Sequence, residues 1–585
     1  MKFSEYLNSQ PLLLYAYRFW GPHSKACYGK GCLPAALSTF VTQLERYSLA
    51  RSYHSFDVVK PCHIAAWYGL PDLLPATTEG WNEVTEICHV TPLILASAIG
   101  HVAVVEELLS RKDVDINSQD ICGHTALFAA SDNGHEGIVT LLLSRTDVII
   151  NTATFKGLGL EFAGQTALVA AARKGYEGIV KLLLSRTDID INPQDEAGRT
   201  AFFAASREGH EGIVKCFLSQ SNVAINLQDI YGYTALIMAS YYGHEAIARL
   251  LLSRPDVAIN TATKSLGLEF AGQTALSTAS SNGYLGIVKL LLSRKEVDIN
   301  SQDESGQTAL IAASCEGHEA IVKCLISRND LDINLQDKYG YTALIMASFY
   351  GYEAIVKLLL SRKDIIINTV TFKSLGLEFS GQTALLRASS DGNLGIVKLL
   401  LSRKDLDINS QDECGRTALI AASRHGHEAI VKCLLSQCNV DINLHDRYGY
   451  TALMAACRKG YLGIVKLLLS RKDLDINSQD EGRRTALFAV SRHGDEAFVT
   501  PLPSRADIDV NFATTMRFLD RDEPAGQTAL SIASFYNREG VVKLLLSRGD
   551  VDVHLKDETG ETALSTASGK GYEAIVRLLR SRNAL

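Results

Sequence analysis

The chain has 585 residues, 46% of them hydrophobic and 21% charged, the balance of a folded protein and not of a disordered one. A formal net charge of −7 argues against nucleic acid as a partner, since a duplex binder needs a basic surplus to displace counterions. No stretch reaches the roughly eighteen apolar residues that cross a bilayer, and no membrane partner is expected. The start Met1-Lys2-Phe3-Ser4-Glu5 leads into no apolar signal core, and no Asn-x-Ser/Thr acceptor occurs. Twelve cysteines are scattered, with Cys216, Cys324 and Cys433 at one repeated helix position. That pattern reads as buried reduced thiols in a cytoplasmic setting.

Residues 1–53 do not repeat. Residues 12–20 and 35–47 read as short helices, with breaks at Gly21-Pro22 and over 29–31. Cys27 and Cys32 form one isolated pair, a weak metal signal.

Residues 54–585 hold about fifteen copies of one unit. A Thr-Ala-Leu block recurs at Thr125, Thr166, Thr200, Thr234, Thr274, Thr308, Thr342, Thr383, Thr417, Thr451, Thr485, Thr528 and Thr562. Phe202 stands in for the leucine once, and Thr91-Pro92-Leu93 opens the series. Most steps are 34 residues, and a few are 40 to 43. Within one unit Thr417 suits a helix N-cap. Leu419, Ala421 and Ala422 give a short helix with a narrow, small-residue face, which Gly426 ends in the left-handed conformation. Ile430, Val431, Leu434 and Leu435 follow at helical spacing. Asp and Gly then supply the bends. One unit buries too few aliphatic side chains to offset the backbone entropy of its own ordering, so each needs its neighbours.

These units resemble the ankyrin repeat, whose signature is T-P-L-H-x-A-A followed by G-H and L-L. The resemblance implies an all-α, ankyrin-repeat solenoid of stacked helix-turn-helix units with hairpin loops, joined to the short N-terminal helical segment. Only Thr91-Pro92 keeps the signature proline after its threonine, and Ile, Phe, Val, Leu or Ser replaces the signature histidine. The first unit is degenerate but keeps Pro61-Cys62-His63-Ile64-Ala65-Ala66. The last carries Arg580 at an apolar interface position, as a terminal unit facing water should.

A three-unit superperiod is visible in the long steps after Thr125, Thr234 and Thr342, whose inserts end at Phe162, Phe270 and Phe379. Insert phenylalanines suit hairpin packing or partner contact equally. The unit near 480–513 looks defective: Pro501 and Pro503 interrupt its second helix, and Arg483 replaces its turn glycine. A broken helix and a flexible joint are expected between about residues 496 and 527.

The segment Pro11-Leu12-Leu13-Leu14-Tyr15-Ala16-Tyr17-Arg18-Phe19-Trp20-Gly21-Pro22-His23 resembles one that precedes the ankyrin array of fungal NACHT–ankyrin proteins. Those are NLR-like signalling NTPases associated with non-self recognition. No G-x-x-x-x-G-K-[ST] loop is present here, so only a recognition portion is implied. A helical cap over the first unit explains the segment equally well.

No catalytic, cofactor or metal site is expected. His101, His135, His210, His244, His318 and His427 form a row, but one per unit leaves them too far apart to share an ion. Asp120, Asp195, Asp229, Asp303, Asp337, Asp412, Asp446, Asp480 and Asp557 begin turns and lack a paired nucleophile or base. The candidates are positions that vary between otherwise copied units. By resemblance, ankyrin proteins bind through turn tips and the exposed ends of first helices, on a concave surface. The aromatic candidates there are Tyr231, Tyr233, Tyr241 and Tyr242, then Tyr339, Tyr341, Phe349 and Tyr350, then Tyr448 and Tyr450. Basic pairs follow at Arg424-His425, Arg458-Lys459 and Arg492-His493, suiting a partner with an acidic patch. Stacking between neighbouring hairpins, or plain solvation, would account for the same residues without a ligand. The expected activity is non-catalytic protein interaction by a monomer, either as the recognition part of an NLR-like protein or as a passive multivalent scaffold.

Overall fold

The computed structural model describes residues 61–69, 71, 81–85, 89–155, 163–264, 271–372, 380–494, 502, 505–515 and 524–583. The expected N-terminal helices, Cys27 and Cys32, the insert residues Phe162, Phe270 and Phe379, and Pro501 and Pro503 lie outside them. Among the described residues there are 28 helices and no strands, only isolated bridges.

One repeat shows how the sequence builds the pair. Thr417 is extended, and its hydroxyl accepts the Ile420 N–H at 3.2 Å, so the first helix starts at Ala418. That helix, Ala418–His425, ends where Gly426 takes φ 83° and its N–H closes on the Ala422 carbonyl. The second helix, Glu428–Leu435, buries Ile430, Val431 and Leu434 on one stripe. The first helix buries Ala418 through Ser423, because its flanks are covered by the first helices before and after it. Asp412 organises the preceding turn: Oδ1 accepts the N–H groups of Cys414 and Arg416 at 2.9 and 2.8 Å, and Oδ2 accepts Arg416 Nε at 2.8 Å.

The repeats pack as two units, one up to Ala279 with Gly286–Asp298, the other Ser280–Leu285 with Ile299–Leu585. Within each, the same side chains stitch one repeat to the next. In the first unit His210 Nε2 donates to the Arg173 carbonyl at 3.1 Å and His244 Nε2 to that of Arg207 at 2.9 Å. In the second His427 Nε2 donates to Ser390 at 2.9 Å. The histidine row is therefore structural.

Asparagines form a second row of stitches. Asn192 Nδ2 donates to the Asn222 carbonyl and its Oδ1 accepts the Ala224 N–H, at 2.9 and 2.8 Å. Asn443 does the same with Asp473 and Asp475, both at 2.8 Å. Arginines form a third. Arg471 holds Asp473 through Nε and Nη2 at 2.8 and 2.6 Å, while Nη1 reaches back to the Leu435 carbonyl at 2.6 Å. Arg186 repeats this in the first unit with Asp188 and Leu143.

The described ends of the long steps close on each other by one pattern. Thr154 N–H donates to Gln165, Thr263 to Gln273, Thr371 to Gln382 and Thr514 to Gln527, each at 2.9–3.1 Å. The long step after Thr485 thus shares the closure of the three that follow Thr125, Thr234 and Thr342. Arg483 occupies the turn-glycine position with φ 55°, and the turn survives: its N–H still bonds the Asp480 carbonyl at 2.8 Å.

One expectation is corrected. Cys216, Cys324 and Cys433 are free thiols but half-exposed, because their helix position sits beside the buried stripe and not on it. Among the described residues the buried thiols are Cys62 and Cys457, and burial pushes Cys457 up to about 12. Arg580 is exposed.

Candidate partner-binding surface

Turn tips and first-helix ends come together because the turn carrying the tip leads directly into the capping threonine. In the first unit Tyr231, Tyr233, Tyr241 and Tyr242 line one depression of about 300 Å³, with Arg199, Phe203 and Arg207 of the preceding repeat opposite. Tyr231, Tyr241 and Tyr242 are each 40–42% exposed, and Tyr233 is half-buried. Tyr241 and Tyr242 meet edge-on at 5.0 Å, and Tyr242 stacks on His244 at 6.0 Å. Burial raises the Tyr233 phenol above its usual value.

The equivalent residues in the second unit are arranged differently. Tyr339 and Tyr350 are exposed, whereas Tyr341 and Phe349 are half-buried. The guanidinium of Arg387, from the next repeat, lies 3.9 Å over Phe349 and 3.2 Å from Asp391. In the first unit the matching position is Thr278, too short to cover a ring. At the tips, Lys338 sits 5.0 Å from the Tyr339 ring and Arg447 4.6 Å from that of Tyr448, which is exposed.

Tyr450 is half-buried and gathers two arginines: its hydroxyl accepts Arg458 Nη1 at 2.9 Å and Arg484 Nη2 at 3.0 Å. It lines a pocket of about 70 Å³ with Arg458, Arg492 and His493. Lys459 and His425 are exposed and Arg424 is half-buried. Partial desolvation, reinforced by neighbouring arginines, lowers both His425 and His493 below the usual imidazole value although both rings stay largely open to solvent.

Several residues of this surface escaped sequence reasoning. Phe535 and Tyr536 repeat the Phe349-Tyr350 pair at the same helix end, with Lys570 3.6 Å over Phe535 and Arg492 5.5 Å from the Tyr536 ring. Arg173-Lys174 is a basic pair far from the others in sequence. Arg199, Arg387 and Arg484 were legible only as variable positions.

One group among the described residues, Asp120, Cys122 and His124, brings three potential ligand atoms within 4.8 Å of one another. Asp120 Oδ1 already accepts the N–H groups of Cys122 and His124, and Oδ2 lies 2.8 Å from His124 Nδ1. Burial pushes the Cys122 thiol to about 11, against the thiolate a metal needs. No helix of the described residues is long and apolar enough to cross a membrane.

Paired short helices, copied along the chain and stitched by recurring side-chain bonds, define a stacked helix-turn-helix repeat protein. The family model for ankyrin repeats (3 copies) matches residues 62–154, 93–195, 151–229, 168–264, 203–303, 276–371, 322–412, 385–480 and 487–584, and the chain belongs to that family. Ankyrin repeats are protein–protein interaction modules, and no enzymatic family is matched. No curated protein matches the chain.

Proposed function

We propose that the chain is a non-catalytic scaffold that holds a protein partner against its turn tips and first-helix ends, in the groove those elements line. The observation that carries this is where the repeats differ. The Ile-Val-x-x-Leu stripe of the second helices is copied and buried, as at Ile355, Val356 and Leu359. The helix ends vary instead, and expose rigid aromatic and basic side chains such as Tyr241, Tyr242, Tyr350 and Lys459. Large aromatic rings around an open depression suit the anchoring of a partner side chain.

The finer reading is recognition within a fungal NLR-like system, by a monomer in a reducing cytoplasm. Its support is the resemblance over 11–23 and the free cysteines among the described residues. A neighbouring reading frame encoding a NACHT domain would support it, and several unrelated stable partners would favour a passive scaffold. The test of the scaffold itself is a pull-down from native lysate with the full chain and with Tyr241, Tyr242, Phe349 and Tyr350 changed to Ala. Capture lost in the variant is expected. Equal capture rejects the surface.

A further inference from the structure

The pocket between the repeats capped by Thr451 and Thr485 presents hydrogen-bond donors almost exclusively. Arg458 Nη1 and Arg484 Nη2 both donate to the Tyr450 hydroxyl oxygen, at 2.9 and 3.0 Å. Neither guanidinium can accept in return, so the Tyr450 hydroxyl keeps its proton as a further donor. Arg492 and His493 complete the rim, and Met454 and Phe488 form an apolar floor.

The acid of this wall is already balanced. Asp480 is buried, pairs with Arg484 at 2.6 Å, and accepts the N–H groups of Gly482 and Arg484 at 2.9 Å each. Arg458 has no carboxylate partner among the described residues, and Lys459 beside it is exposed. His493 reports the local field: partial desolvation lowers it first, then the charges of Arg492 on its own helix, Arg458 on the preceding repeat and Arg538 on the following one.

We propose that this pocket binds a compact oxyanion, a carboxylate or a phosphoryl group carried on a side chain of the docked protein segment. The volume of about 70 Å³ suits one such group and its first methylenes, with the stem on Met454 and Phe488 and the oxygens among the donors. The inference rests on the scaffold reading for the source of the group, and the pocket itself can be tested without a partner.

The test follows the His493 ring by NMR in the full chain, its signal identified by loss in His493→Gln. The chain is titrated with inorganic phosphate against chloride at matched ionic strength. It is then titrated with two otherwise identical short peptides, one bearing a glutamate and one a phosphoserine. A bound anion opposes the arginine charges, so the His493 midpoint should rise. Arg458→Gln and Arg492→Gln should each weaken that response about tenfold or more, as loss of a charge-assisted hydrogen bond implies. Lys472→Gln, a charge change on an exposed residue elsewhere, should leave it intact. Response to phosphoserine alone assigns a phosphoryl group, and response to both peptides admits a carboxylate. A midpoint unmoved by phosphate and both peptides overturns the proposal, as does an unchanged response in Arg458→Gln and Arg492→Gln. A partner captured equally by wild type and Arg458→Gln would remove this site and leave the scaffold. A phosphate-responsive His493 in a chain that captures no partner would do the reverse.

Discussion

The Nε2 of His427 donates to the main-chain carbonyl of Ser390, 37 residues earlier, at 2.9 Å, and its ring lies where a Cβ on Gly392 would sit. One side chain thus ties two repeats and requires the glycine that ends the earlier helix. Tyr461 occupies the same place over Gly426, filling the space by packing alone. His427→Ala should lower stability by about 1–2 kcal/mol, and His427→Tyr by clearly less. Denaturant midpoints of the full chain check this; equal losses would show that packing on the glycine contributes nothing.

Asn443 makes two bonds to the next repeat, and removing both leaves the Asp473 carbonyl and the Asp475 N–H to water. Asn443→Ala should cost about 1–2 kcal/mol and speed amide exchange at Asp475. Unchanged exchange there would contradict the stitch.

Arg471 lowers the Asp473 carboxyl below its ordinary value, chiefly through their hydrogen bond. A depressed folded value contributes stability above the ordinary 3.8 and loses it as pH falls through the folded value. In Arg471→Gln the Asp473 midpoint, read by NMR, should return toward 3.8. The variant's deficit relative to wild type should therefore shrink below that pH. Because the pair is exposed, added salt should reduce the difference.

At Arg483 an L-residue holds φ 55° where other repeats use glycine. Arg483→Gly should raise stability by about 1 kcal/mol by relieving that conformation. A loss would mean that the Arg483 side chain, 5.8 Å from the Phe512 ring and 3.2 Å from Gln479, outweighs the backbone term.

The Ser423 hydroxyl is buried without a hydrogen-bond partner, and Ala172 fills the matching place in another repeat. Ser423→Ala should be neutral or stabilising within about 0.5 kcal/mol by denaturant midpoint. A clear loss would reveal a bond the hydroxyl makes by rotating toward Leu419, as Ser206 does toward Phe202 at 2.8 Å.

What was legible in the sequence was local. Thr417, Gly426 and Asp412 act on backbone within four residues of themselves, so their roles follow from residue type and position. The stitches made by Asn443 and Arg471 are not legible in the sequence, because their partners are carbonyls 30 and 36 residues away that no side-chain pattern marks. The half-exposure of Cys216 depends on which helix flank a neighbour covers. On the surface, variability located Tyr241 and Tyr350 alike. It could not show that Arg387 covers Phe349 while Thr278 leaves the first cluster open, because that difference arises across repeats. Phe535-Tyr536 carried the same helix-end signal as Phe349-Tyr350 and was readable.

The most direct measurement is amide exchange of the full chain with and without a captured partner. Binding at the variable face predicts slowed exchange at turn tips and first-helix ends, around 229–243, 446–460 and 480–494, with the second helices, Leu462–Leu469 among them, unchanged. Slowing confined to second helices such as Glu353–Leu360 and Glu428–Leu435 would contradict it.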